Sequence, residues 1–78
     1  MSELKDDLRQ MLSSVCGLSN GFADGADLYR DLAVPSFKSV DLLMALEDRY
    51  KVSIPDEQFM DATSLDGLTA MMQDLLPK

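Results

Sequence analysis

Ser36 stands at the head of the stretch Pro35-Ser36-Phe37-Lys38-Ser39-Val40-Asp41-Leu42-Leu43-Met44-Ala45-Leu46-Glu47-Asp48-Arg49-Tyr50. A hydroxyl in that place can cap the helix that follows, or it can be the attachment point of a phosphate-linked group. Other chemistry is scarce. Cys16 is the single cysteine, so an internal disulfide is impossible, and no histidine is present to build a zinc site or a serine triad. No glycine-rich phosphate loop occurs, and the expectation is a chain with no catalytic residue and no metal site. Asn20 to Asp31 resembles a calcium loop with Gly25 at the turn. However, Phe22 falls on a ligand position and the last ligand would be Asp31 where glutamate is usual, so the segment reads as a solvated acidic loop. Cys16 reads as a small apolar residue at the end of a helix.

The elements that must position Ser36 are helical. Leu4, Leu8, Met11, Leu12 and Val15 recur at helical spacing, with Ser2 as a cap, Glu3, Asp6 and Asp7 in the first turns and Gly17 as the stop. Residues 17–35 carry Gly17, Gly21, Gly25 and Pro35 without a sustained period, while Phe22, Leu28 and Leu32 should pin the segment to a core. Connections of this length in small domains are usually functional. A second helix is predicted from about Ser36 to Lys51, and a short third from about Asp56 to Met60 after Pro55. Thr63 with Asp66 forms a capping box before Leu65, Leu68, Met72, Leu75 and Leu76, and Pro77 ends that last helix. The fold class is all-α: a small four-helix bundle, three helices long and one short, with a long loop between the first and second. At 78 residues the chain should be a single domain, 1–78.

The second helix has more apolar surface than one core-facing side requires. At 100° per residue and with Val40 at zero, Ser39, Leu42, Leu43, Leu46 and Tyr50 fall between about −160° and −60°, enough to face a core. A neighbouring arc from about −40° to +100° holds Ser36, Glu47, Val40, Met44, Phe37, Asp48 and Asp41. Burying its three acids without partners would be costly. The second arc should therefore face water, leaving Phe37, Val40 and Met44 as an exposed apolar strip of the kind that docks partners. A helix buried on two sides would instead put all three in the core.

Seven basic and fourteen acidic residues give a net charge of −7, which repels nucleic acid and anionic lipid and favours basic partners. No stretch approaches the roughly 20 apolar residues of a membrane span. The N-terminus lacks the basic and apolar regions of an export signal. A soluble, cytoplasmic monomer is expected, with no nucleic-acid binding and no membrane insertion.

Asp31-Leu32, Ser36, the run Val40-Asp41-Leu42-Leu43-Met44-Ala45-Leu46-Glu47 and Ile54-Pro55-Asp56-Glu57 together resemble the acyl carrier protein family over most of the chain. The resemblance implies a covalent 4′-phosphopantetheine on Ser36, whose thiol holds a cargo as a thioester. It also implies a set of partners: a phosphopantetheinyl transferase, an acyl- or aminoacyl-activating ligase, and synthases or transferases with basic docking patches. These would meet Phe37, Val40, Asp41, Met44, Glu47 and Asp48. The family usually has Asp-Ser-Leu at the attachment site, whereas Pro35-Ser36-Phe37 followed by Lys38 stands here. That departure points to a specialised fatty-acid, lipid or secondary-metabolite pathway with its own loading enzyme. Ser39-Val40-Asp41 is a rival match, but it would set the serine inside the helix on the core-facing arc. An aminoacyl or peptidyl carrier and an unmodified helical interaction module are the alternatives. Met11, Met60, Met71 and Met72 could line a space for an acyl chain or fill gaps in a core.

Overall fold

The computed structural model describes residues 3–19 and 21–76, and the described residues form four helices and no strand. They are α1 (Glu3–Cys16), α2 (Lys38–Tyr50), α3 (Asp56–Asp61) and α4 (Leu65–Leu75). The all-α expectation of three longer helices and one short one is met. The helix α1 packs against α2 and α4, and α3 packs against α4. Leu8 and Leu12 of α1, Leu42 and Leu46 of α2, and Leu65, Leu68 and Met72 of α4 are at most 1% exposed. These are the positions that the helical spacing assigned to the interior, and burying them is the main stabilising term.

Helix boundaries follow local chemistry. Gly17 takes the left-handed conformation (φ 73°) and its N–H donates to Ser13 O at 3.0 Å, closing α1 as the sequence predicts. Lys51 adopts the same left-handed backbone after α2 (φ 55°), where glycine would be the unstrained choice. The cap of α4 differs from the expected Thr63–Asp66 box. Ser64 is the N-cap, and its hydroxyl accepts the Gly67 N–H at 3.0 Å. A Cβ at Gly67 would meet Ala62 Cα and Ser64 Oγ at 3.3 Å, so a side chain there would crowd the turn. Thr63 instead offers its carbonyl to Leu28 N–H at 2.7 Å. Asp66 turns away to Lys5, 2.7 Å distant. The expected cap Ser2 and stop Pro77 lie outside the described residues.

The long connection between α1 and α2 is held at both ends. Arg9 donates to Phe22 O at 2.7 Å, lies 4.6 Å over the Phe22 ring and pairs with Asp24. Lys5 bridges Asp24 (3.3 Å) and Asp66 (2.7 Å), joining α1, the loop and α4 through one ammonium. Asp27 then caps a local turn, its Oδ1 accepting Tyr29 and Arg30 N–H at 2.9 Å each. Those bonds hold its carboxyl below the usual range. Asp31 reaches back to Asp27 N–H at 2.9 Å. The turn drives Leu28 (0% exposed) and Val34 into the core, with Phe22 and Leu32 packed at its margin. Asp24, Asp27 and Asp31 are therefore engaged in pairing and capping. Among the described residues no group of acids, cysteine or histidine is arranged for a metal; Asn20 of the calcium-like segment lies outside them.

Candidate functional site

Ser36 lies on the turn that delivers the chain into α2. Proline fixes φ at residue 35, and two successive i→i+3 bonds follow, Lys38 N–H to Pro35 O and Ser39 N–H to Ser36 O, each 3.0 Å. The α-helix proper starts only at Lys38, two residues later than predicted. Phe37 occupies the N-cap position, and no side chain caps the first turn. The hydroxyl of Ser36 is thus exposed and plays no capping role. Two amides that an anion at this helix start could have used are already taken by the Pro35 and Ser36 carbonyls. Ser39, the rival, is half-buried within α2, on the arc where its spacing placed it.

The second arc faces water. Phe37 is 70% exposed, Val40 58% and Met44 63%, while Leu42 and Leu46 on the opposite side are closed off. Asp41 and Asp48 are exposed beside this strip, and Asp48 pairs with Lys51 at 3.5 Å. Glu47 differs from them. It is half-buried, and its Oε2 accepts the Ile54 N–H at 2.9 Å, fixing the segment between α2 and α3. Of the six residues expected to meet partners, five are therefore open on the surface and Glu47 also holds the fold.

Beside Ser36 opens a cleft of about 230 Å³ lined by Tyr29, Ser36, Ser39, Phe59, Met60 and Thr63. It lies where the Asp27 turn, α2, α3 and the α3–α4 connection converge. Phe59 is buried at 8% exposure and its neighbour Met60 stands out at 73%. Phe59 and Met60 point about 100° apart on α3, and it is Phe59 that faces the core. Met71 and Met72 of the other methionines are buried, and Met11 packs against the core. Tyr29 and Thr63 carried no helical period, and sequence reasoning missed them.

Two further groups frame the helices without belonging to the cleft. Burial pushes the Cys16 thiol up, with Lys38 opposing. At the far end of α2, Arg49 grips Asp7 through Nε (2.6 Å) and Nη2 (2.5 Å), and Tyr50 OH donates to the same carboxylate. The Arg49 bonds hold Asp7 below the usual carboxylate range against a smaller desolvation effect. The Tyr50 hydroxyl is pushed up to about 12, first by burial and then by its bond to Asp7. This clamp ties the end of α2 to α1.

A serine hydroxyl that is exposed, unneeded as a cap and adjoined by a cleft can accept a phosphodiester without displacing any bond of the fold. The family model described as phosphopantetheine attachment site matches residues 6–72. The chain is also similar to acyl carrier proteins of Helicobacter pylori, at 33% identity over 49 residues for strain J99 and 35% for strain G27. Each alignment covers 63% of this chain and 63% of the relative's length. The chain belongs to the phosphopantetheine attachment site family, as the resemblance to acyl carrier proteins implies, and its cofactor is covalently bound 4′-phosphopantetheine.

Proposed function

We propose that this protein is a non-catalytic carrier. It holds acyl or related intermediates on a 4′-phosphopantetheine arm esterified to Ser36 and presents them to successive enzymes of a specialised fatty-acid, lipid or secondary-metabolite pathway. The observation that carries this reading is the exposed hydroxyl of Ser36 on a turn that does not use it. When bound, the arm supplies a thiol for thioester linkage. The chain's own part is to hold the attachment turn rigid and to offer a surface that partners can find. Pro35 and the two turn bonds do the first.

Phe37, Val40 and Met44 with Asp41 and Asp48 do the second, and Glu47 holds the surface in shape while adding charge. The partners are a phosphopantetheinyl transferase, an acyl- or aminoacyl-activating ligase, and synthases or transferases that carry basic patches. Complementary charge speeds such encounters and sets their orientation more than it tightens them, which suits a shuttle. No helix among the described residues is long and apolar enough to cross a membrane, and the free thiol of Cys16 suits the reducing cytoplasm. Residues 1–78 work as one carrier domain in this reading.

The test is the intact mass of protein incubated with coenzyme A and a broad-specificity transferase. Wild type and Ser39→Ala should each gain one phosphopantetheine, and Ser36→Ala none. A loaded Ser36→Ala protein would overturn the assignment. A wild type that no transferase loads would leave an unmodified module that docks through the exposed strip.

A further inference from the structure

The described cations divide into two groups. Lys5, Arg9, Arg49 and Lys51 each pair with an aspartate. Arg30 and Lys38 form no ion pair among the described residues, although acids outnumber bases fourteen to seven in the chain. Both belong to the segment that carries Ser36. Arg30 is exposed on the Asp27 turn, next to Tyr29, which lines the cleft with Ser36. The Asp27 Oδ1 accepts the N–H groups of Tyr29 and Arg30, and the Arg30 guanidinium acts on that carboxylate only as a nearby charge. Asp31, between Arg30 and Ser36, is bonded to the Asp27 N–H. Lys38 opens α2 and is half-buried. Residues two apart on a helix point about 200° away from each other, so its ammonium does not lean over the Ser36 hydroxyl. Its charge acts instead on the Cys16 thiol at the end of α1, as does that of Asp41. The α2 carboxylates begin at Asp41 and continue with Glu47 and Asp48. The surface around Ser36 is therefore split by sign, with cations at the attachment turn and carboxylates along α2.

We infer that Arg30 and Lys38 select the enzyme that loads Ser36: it meets this chain with a split face, carboxylates opposite Arg30 and Lys38 and cations opposite Asp41 and Asp48. A transferase whose docking face carries cations alone gains along α2 but sets like charges against Lys38 and Arg30. Such juxtapositions are strongly unfavourable and discriminate between partners by repulsion. Lys38 should carry more of the discrimination than Arg30, because it stands two residues from the attachment serine at the start of a helix, where its backbone is fixed.

This inference deepens the carrier reading and rests on attachment at Ser36, and one experiment separates the two. Loading from coenzyme A is followed by intact mass with two transferases, one of broad specificity and one whose carrier-docking face carries only cations. The first should load wild type, Arg30→Glu and Lys38→Glu alike, which verifies that the variants fold and accept the arm. The second should work poorly on wild type, and Lys38→Glu should lower its KM for the carrier by about tenfold or more with kcat little changed. Arg30→Glu should act in the same direction, and about 0.5 M salt should remove most of both gains. Gln10→Glu combined with Gln73→Glu makes the same change in net charge as Lys38→Glu at exposed positions of α1 and α4. That pair should move KM by less than about twofold, since charges beyond the screening length act weakly. When the docking cations of the second enzyme are replaced one at a time by glutamate, at least one replacement should favour wild type over Lys38→Glu. Equal KM values for wild type and Lys38→Glu, an equal gain from the glutamine pair, or no replacement that reverses the preference would each overturn the inference while leaving the carrier reading intact. Absence of any mass gain with either enzyme would overturn both.

Discussion

Replacing Leu46 and Met44 separately by alanine compares two neighbours on α2 that the fold treats in opposite ways. Leu46 is 0% exposed and Met44 is 63% exposed. Truncating a fully buried leucine costs about 3–4 kcal/mol through lost transfer energy and the cavity left behind. Full burial of a methionine side chain contributes about 1.5–3 kcal/mol. With only about a third of Met44 covered, its truncation should cost below about 1 kcal/mol, slightly offset by alanine's better helix propensity. A chain of this length should have a stability of about 4–12 kcal/mol, so the first change removes a large part and the second very little. Urea unfolding followed by helical circular dichroism reads this directly. With a slope of about 1 kcal/mol per molar for a small domain, Leu46→Ala should lower the midpoint by about 3 M and Met44→Ala by under about 1 M. Loss of the helical signal without urea in Leu46→Ala agrees with the larger cost. Equal midpoints for the two variants would mean that Met44 is core, and the docking strip would then have no structural basis.

Ser64→Ala removes the α4 cap and leaves the Gly67 N–H without its 3.0 Å acceptor. The expected loss is about 1 kcal/mol, or about 4–8 °C in melting temperature for a domain this small, whereas Thr63→Ala should not remove a cap. Asp7 is held below its unfolded value of 3.8, so its contribution is present above that pH and is lost as pH falls through the lower folded value. Wild type should therefore lose stability below about pH 4 more steeply than Asp7→Asn, as measured by thermal melts across that range. Tyr50 works in the opposite sense: its folded value is raised from 10.0 to about 12, and its contribution, complete below pH 10.0, is lost as pH rises through about 12. Tyr50→Phe should flatten that decline. A net charge of −7 should make added salt raise the melting temperature at neutral pH through screened self-repulsion. A melt insensitive to ionic strength would show that this repulsion is not significant.

Much of this architecture is legible in the residues themselves. The apolar positions of α1, α2 and α4 repeat at helical spacing, Gly17 stops α1, and the two arcs of α2 separate because one contains acids that burial would strand. The strip of Phe37, Val40 and Met44 follows from that separation. What escaped was set by partners far away in the chain. Thr63 and Ser64 are equivalent as local caps. Only the bond from Leu28 to the Thr63 carbonyl and the pull of Lys5 on Asp66 decide between them. The start of α2 moved because Pro35 and Ser36 carbonyls capture the first amides in a tighter turn. The loop before it has no period because it is organised by Arg9, Lys5 and the Asp27 cap rather than by an apolar face. The cleft is likewise invisible in sequence, since Tyr29, Ser39, Met60 and Thr63 come from four separate segments.

The central claim is that the phosphopantetheine is attached at Ser36, and a tryptic map tests it most directly. Cleavage after Arg30, Lys38 and Arg49 places Ser36 alone among hydroxyl residues in Asp31–Lys38 and puts Ser39 in the following peptide, Ser39–Arg49. Mass spectrometry of loaded protein should find the added phosphopantetheine only on Asp31–Lys38. Its appearance on Ser39–Arg49, with Asp31–Lys38 unmodified, would contradict the account.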